Sequence, residues 1–173
     1  MKDGMEKLAR GLGVVSRLSL WIAGLGLVAM TAIVSTQVFF RYALNSSIVW
    51  SEPAAVILMG WFIFLGAAVG IREGYHLSFD VLLHVLPDRM KAVLHTTSDL
   101  VVCAFGFGMA WYGGQLMLSA AGSVLPTLGI SGAVDFLPLV FGGGLVMLFS
   151  LERVLRRAAG LPTARFGETG NGA

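Results

Sequence analysis

Charge is what this chain has little of. Only 13% of its 173 residues are Asp, Glu, Lys or Arg, against roughly 25% in an average soluble domain. With 56% hydrophobic residues and a mean hydropathy of +0.80, it does not have the composition of a soluble globular enzyme. A lone cysteine, Cys103, lies in an apolar stretch, which excludes an intrachain disulfide and any thiolate metal cluster. The net charge is +2, yet the basic residues form no patch interleaved with exposed aromatics, which argues against a nucleic-acid partner. The 23 glycines lack the collagen period and sit mostly inside apolar runs, where close helix contact uses them.

What is present is a set of long uncharged intervals. Crossing about 30 Å of hydrocarbon takes roughly 20 apolar helical residues, since backbone polar groups cannot go unsatisfied in lipid. Leu18 to Phe40 gives 23 such residues and Pro53 to Ile71 gives 19, with Pro53 in a first turn where its missing N–H costs nothing. The interval Leu100 to Val134 is too long for one crossing, and Gly122, Pro126, Gly129 and Gly132 break its later part. The spacing therefore predicts four spans, at 18–40, 53–71, 92–119 and 131–152, in one all-α membrane domain over residues 1–160. The segment 161–173 is Gly-rich and polar and reads as a disordered tail. Met5, Leu8, Leu12 and Val15 recur at helical spacing before the first span, which fits an interfacial amphipathic helix or, alternatively, the solvated start of that span. Eleven of the twelve Lys and Arg fall on one side of this layout, with Arg41 alone on the other. The positive-inside rule then puts both termini in the cytoplasm.

The middle of every span is uncharged. Burying a charge there costs at least about 2.5–3.5 kcal/mol on insertion scales, so an intramembrane ionisable group marks function by default. Spans one, two and four offer no such group and no inverted repeat is evident, which argues against a self-sufficient transporter. Near span three, His95 and Asp99 are four apart on one helix face. They read either as a polar contact to another subunit or a proton-handling pair, or as the headgroup boundary, since Leu100 to Ala120 already supplies 21 uncharged residues. A haem-bearing redox anchor needs histidines on facing helices that meet across the iron. His76, His84 and His95 all fall in or beside one loop, so no cofactor is expected. Gly66 and Gly70 form a G-x-x-x-G step that suits helix packing. No catalytic or metal-binding constellation is found.

The region 35–80 is more specific than its composition. It reads Gln37-Val38-Phe39-Phe40-Arg41-Tyr42, Trp50-Ser51-Glu52, Leu65-Gly66-Ala67-Ala68, then Arg72-Glu73-Gly74-Tyr75-His76 and Asp80. In order, spacing and four-span size this resembles the small membrane subunit of tripartite ATP-independent periplasmic (TRAP) transporters, the DctQ-type family. Where the family often has a second acidic residue after Trp-Ser-Glu, this chain has Pro53. The resemblance implies a non-enzymatic scaffold in a bacterial inner membrane. Its partners would be a large DctM-type permease subunit, which holds the substrate and sodium sites, and a periplasmic DctP-type binding protein, with membrane lipids around it. On that reading Arg41 and Glu52 bracket the outer loop and are placed to pair with each other, with the large subunit or with a lipid phosphate. Tyr42 and Trp50 are interface anchors. His76 and Asp80 belong to the cytoplasmic loop, and with Asp99 are subunit-contact candidates.

Overall fold

The computed structural model describes residues 2–73 and 88–159. Four long helices dominate: α1 (Lys2–Ala43), α2 (Ser51–Glu73), α3 (Asp88–Ala120) and α4 (Leu137–Ala158). All four are long and apolar enough to cross a membrane. A short antiparallel hairpin, β1 (Val124–Leu125) with β2 (Ile130–Ser131), and a 3-10 turn at Gly132–Phe136 join α3 to α4. His76 and Asp80 lie outside the described residues, as do His84 and the tail from 161 onwards.

The helices stand in a row, in the order α1, α2, α4, α3. Their dense contacts run between α1 and α2, α2 and α4, and α4 and α3, so the end helices α1 and α3 each lean mainly on one neighbour. Such a row presents two broad faces and does not close around a lumen.

The α1 seam shows how the sequence produces this packing. Its sheltered positions are Leu12, Ser16, Ser19, Ala23, Gly26, Met30, Ile33, Gln37 and Phe40, in alternating steps of four and three. That 3.5-residue period keeps one seam facing one partner helix. Where the seam is deepest the residues are small, and a Cβ added at Gly26 would stand 3.8 Å from the Leu58 carbonyl oxygen of α2. Without hydrophobic drive between helices in lipid, such close approach is what van der Waals attraction requires. The segment Met5–Arg17 is not a separate helix. It continues unbroken into α1, and Leu12 packs on the inner core of Ala68, Val146 and Phe149.

Helix α4 is the most enclosed, and glycine makes it so. A Cβ at Gly106 of α3 would lie 2.7 Å from the Met147 nitrogen and 2.9 Å from the Gly143 oxygen. One at Gly143 would lie 2.8 Å from the Ala110 nitrogen and 2.9 Å from the Gly106 oxygen. These two backbones touch directly. On the α2 side, Gly142 leaves room for Phe64, and Gly60 receives Pro138. A Cβ at Gly66 or Gly70 meets nothing within 4 Å, so this G-x-x-x-G step makes no close helix contact among the described residues and is left open for packing against a partner.

The loop after α3 was legible only as a break. Gly129 takes φ +65, which an L side chain resists, and its N–H donates to the Leu125 carbonyl at 2.8 Å to close the hairpin. The Ser131 hydroxyl then accepts from the Ala133 N–H and caps the 3-10 turn.

Replacing Gly143 by Leu forces two backbones apart and is expected to cost about 3 kcal/mol, the upper end of overpacking penalties. Gly66→Ala is expected to leave the isolated chain as stable or up to about 1 kcal/mol more stable, by helix propensity alone. Thermal unfolding in detergent measures both, and equal effects at the two sites would refute this packing.

Candidate functional site

Opposite charges meet where the C-terminal ends of α2 and α4 lie side by side. Arg72 ends α2; its Nε donates to Glu152 Oε2 at 3.2 Å and its Nη1 lies 3.5 Å from Glu73 Oε1. The same guanidinium reaches back to α1, where Nη2 donates to the Ala9 carbonyl at 3.3 Å. On α4, Arg153 Nε donates to Asp99 Oδ1 of α3 at 3.2 Å, and its Nη1 donates to the Arg72 carbonyl at 3.1 Å. Arg157 Nη2 stands 2.9 Å from Asp99 Oδ2, and Arg156 Nη1 donates to Glu152 Oε1 at 3.3 Å. One belt of charged hydrogen bonds therefore crosses all four helices. It is withdrawn from solvent: Asp99 is 0%, Glu152 and Arg153 5% and Glu73 7% exposed.

The depth of the belt follows from helix rise. Ser51 to Arg72 and Asp99 to Ala120 are each 21 steps, about 32 Å at 1.5 Å per residue, or one hydrocarbon thickness. Asp99 thus lies one hydrocarbon thickness from the far end of its helix and is buried inside the protein, held by Arg153 and Arg157 of the same chain. Arg72 also lies 5.7 Å from the centre of the Phe149 ring, tying the belt to the apolar core above it.

The other end of the row is built differently. Gln37 accepts from the Ile48 N–H at 2.9 Å and donates to Ser47 at 3.3 Å, which folds the loop back onto α1. Ser51, 2% exposed, donates to the Ile48 carbonyl at 2.6 Å. Arg41 and Glu52 flank this loop, both exposed. Among the described residues they form no ion pair with each other or with anything else. Tyr42 is 79% exposed and Trp50 48%. A groove of about 200 Å³ opens between α1 and α2 here, lined by Ala32, Ile33, Thr36, Ile48, Trp50 and Ser51. Thr36 and Ser51 already donate to backbone carbonyls, so the groove offers an apolar wall with no spare hydroxyl hydrogen. No group of three metal-binding side chains occurs among the described residues.

These ends differ in what they can do. The carboxylates of the belt are occupied by guanidinium groups of the same chain, which makes it a clamp. Arg41 and Glu52, at the other end, are exposed and have no ion-pair partner among the described residues. The sequence profile described as the DctQ component of tripartite ATP-independent periplasmic transporters matches residues 30–160. The chain belongs to this family.

Relatives agree with that placement. A putative TRAP transporter small permease protein of Haemophilus influenzae is 30% identical over 132 residues, covering 75% of this chain and 80% of the relative. The sialic acid TRAP transporter small permease protein SiaQ of Vibrio cholerae is 26% identical over 126 residues, 73% of each chain. The match to the C4-dicarboxylate TRAP transporter small permease protein DctQ of Vibrio cholerae is 28% identical over 81 residues, so this chain spans only 34% of that relative's length. It spans 15% of the sialic acid TRAP transporter permease protein SiaT of Haemophilus influenzae, at 28% identity over 95 residues. This DctQ-family chain is thus a multi-pass membrane protein.

Sequence reasoning missed the clamp. In the sequence Arg72 and Glu73 belong to the family-like motif and Glu152 closes the last apolar interval, and neither feature pairs one end with the other. The overlooked cue is that two spans running in the same direction end in charges of opposite sign, Arg72-Glu73 and Glu152-Arg153, so that each end is complementary to the other.

Asp99→Asn is expected to destabilise the chain by about 3–5 kcal/mol, because Arg153 and Arg157 then face a neutral amide in a buried site. Asp99→Leu combined with Arg153→Met is expected to recover much of that loss, since replacing a buried pair by apolar groups is often neutral. Melting curves in detergent separate these outcomes.

Proposed function

We propose that this DctQ-family protein is the small, non-catalytic permease subunit of a TRAP transporter. It supports a large permease subunit in sodium-coupled, binding-protein-dependent uptake of a carboxylate, a C4-dicarboxylate or a sugar acid, across the bacterial inner membrane. The observation that carries this reading is the open row of four helices, whose spans hold no charge in their central turns and whose ionised groups are gathered at the ends. A transporter needs a polar site near the midplane, enclosed by helices that can open to either side. A row clamped at one end offers a wall against which such a machine can move.

Further support comes from SiaT, where a stretch similar to this chain makes up a small part of a much longer polypeptide. The large partner proposed here would supply the rest. The names of the DctQ and SiaQ relatives support a carboxylate cargo. The topology rule puts both termini and the belt on the cytoplasmic side. Arg41 and Glu52 then face the periplasmic side without internal partners, and we assign them to contacts with the large subunit. His76, Asp80 and Asp99 remain candidates for the cytoplasmic side of that assembly, Asp99 through the clamp it anchors.

When this chain is tagged and co-expressed with a large permease chain encoded beside it, the two are expected to co-purify from detergent in equal amounts. Arg41→Glu or Glu52→Lys is expected to lower uptake by the full three-protein system at least fivefold while the yield of this chain alone stays unchanged. Purification of the tagged chain without a large companion would count against the reading.

A further inference from the structure

Helix α1 is the end of the row, and its outer edge is basic. Arg10, Val14, Arg17 and Trp21 follow one another in steps of four, three and four. Each stands two residues from a seam position (Leu12, Ser16, Ser19 and Ala23), hence about 200° round the helix, pointing away from α2. Both arginines are exposed, and Val14 and Trp21 are 62% and 66% exposed. Among the described residues neither arginine has an ion pair, whereas Arg72, Arg153, Arg156 and Arg157 each face a carboxylate. Among the residues whose side chains are described, this edge carries two positive charges and no negative one.

Depth says what meets them. Ala9 is bonded to Arg72 at the level of the belt. Arg72 Nη2 would also stand 3.6 Å from a Cβ at Gly13, so Arg10 is at the boundary and the Cα of Arg17 lies four residues beyond Gly13, about 6 Å further in. A guanidinium cannot rest in hydrocarbon, so the Arg17 stem must run back along the helix toward the boundary, over exposed Val14 and toward Arg10. Run back in this way, the Arg17 guanidinium would reach headgroup level on the side of Arg10, with Trp21 one turn deeper along the same edge. Guanidinium groups bind phosphate oxygens in a bidentate fashion, and a basic strip at this depth is complementary to an anionic leaflet.

We propose that Arg10, Arg17 and Trp21 form a binding site for one anionic phospholipid of the leaflet on the belt side, its phosphate held by the two arginines. The lipid fastens the free edge of the row to the membrane. The site does not depend on the transporter role.

The test is native mass spectrometry of the full chain in detergent, titrated with phosphatidylglycerol, phosphatidylcholine or inorganic phosphate. Phosphatidylglycerol is expected to bind at least tenfold more tightly than phosphatidylcholine, with millimolar inorganic phosphate leaving it in place. Arg10→Gln with Arg17→Gln is expected to abolish that preference, and Arg41→Gln to preserve it. Val14→Glu, which sets a carboxylate between the arginines on an exposed face and disturbs no helix contact, is expected to weaken phosphatidylglycerol binding as strongly. Equal binding of the two lipids, full displacement by inorganic phosphate, or an unchanged preference in both the double variant and Val14→Glu would overturn the proposal.

Discussion

Ions taken out of water must find ions of opposite sign, and this requirement fixes the inner architecture of the chain. Arg72, Arg153 and the carboxylates of Glu73, Asp99 and Glu152 are nearly inaccessible to solvent. Arg72, Asp99, Glu152 and Arg153 are tolerable only while their partners on neighbouring helices stay in place. Neither α2, α3 nor α4 can slide or rotate at this end without parting an ion pair, and α1 cannot without breaking the bond from Arg72 to the Ala9 carbonyl. The belt gains little stability over an apolar packing of the same shape. Its contribution is register.

Above the belt the row is held by proximity rather than by polarity. Gly106 against Gly143, Gly142 against Phe64 and Gly60 against Pro138 let α4 nestle between α3 and α2, and the Ser16, Ser19, Ala23 and Gly26 seam does the same for α1 on α2. At Gly106 and Gly143 backbone atoms rather than flexible side chains touch, which makes that contact stiff. At the outer end Gln37 and the β1–β2 hairpin join the helices two by two. The row is thus locked at the belt and joined in pairs at the other end, where Arg41 and Glu52 are exposed.

The number of spans and the outer loop were legible because charge and hydrophobic length are one-dimensional signals. A residue either interrupts an apolar run or does not. The row order, with α4 between α2 and α3, was not legible, because it depends on which glycine meets which neighbour. Gly66 and Gly70 have the better-known spacing, yet Gly106, Gly142 and Gly143 carry the contact. Arg72 and Glu152 were visible as span boundaries, but a pairing across 80 residues leaves no local trace. Asp99 looked like a choice between boundary and burial because sequence reports depth alone. The family resemblance rested on Gln37 to Asp80, and residues 30–160 match the same family.

The account turns on this chain being unable to carry a solute by itself. The most direct measurement is uptake of radiolabelled carboxylates into proteoliposomes under an inward sodium gradient. Vesicles with this chain alone should accumulate nothing above empty vesicles, and uptake should appear only when a large permease chain and a loaded binding protein are added. Gradient-driven accumulation by the small chain alone would contradict the account.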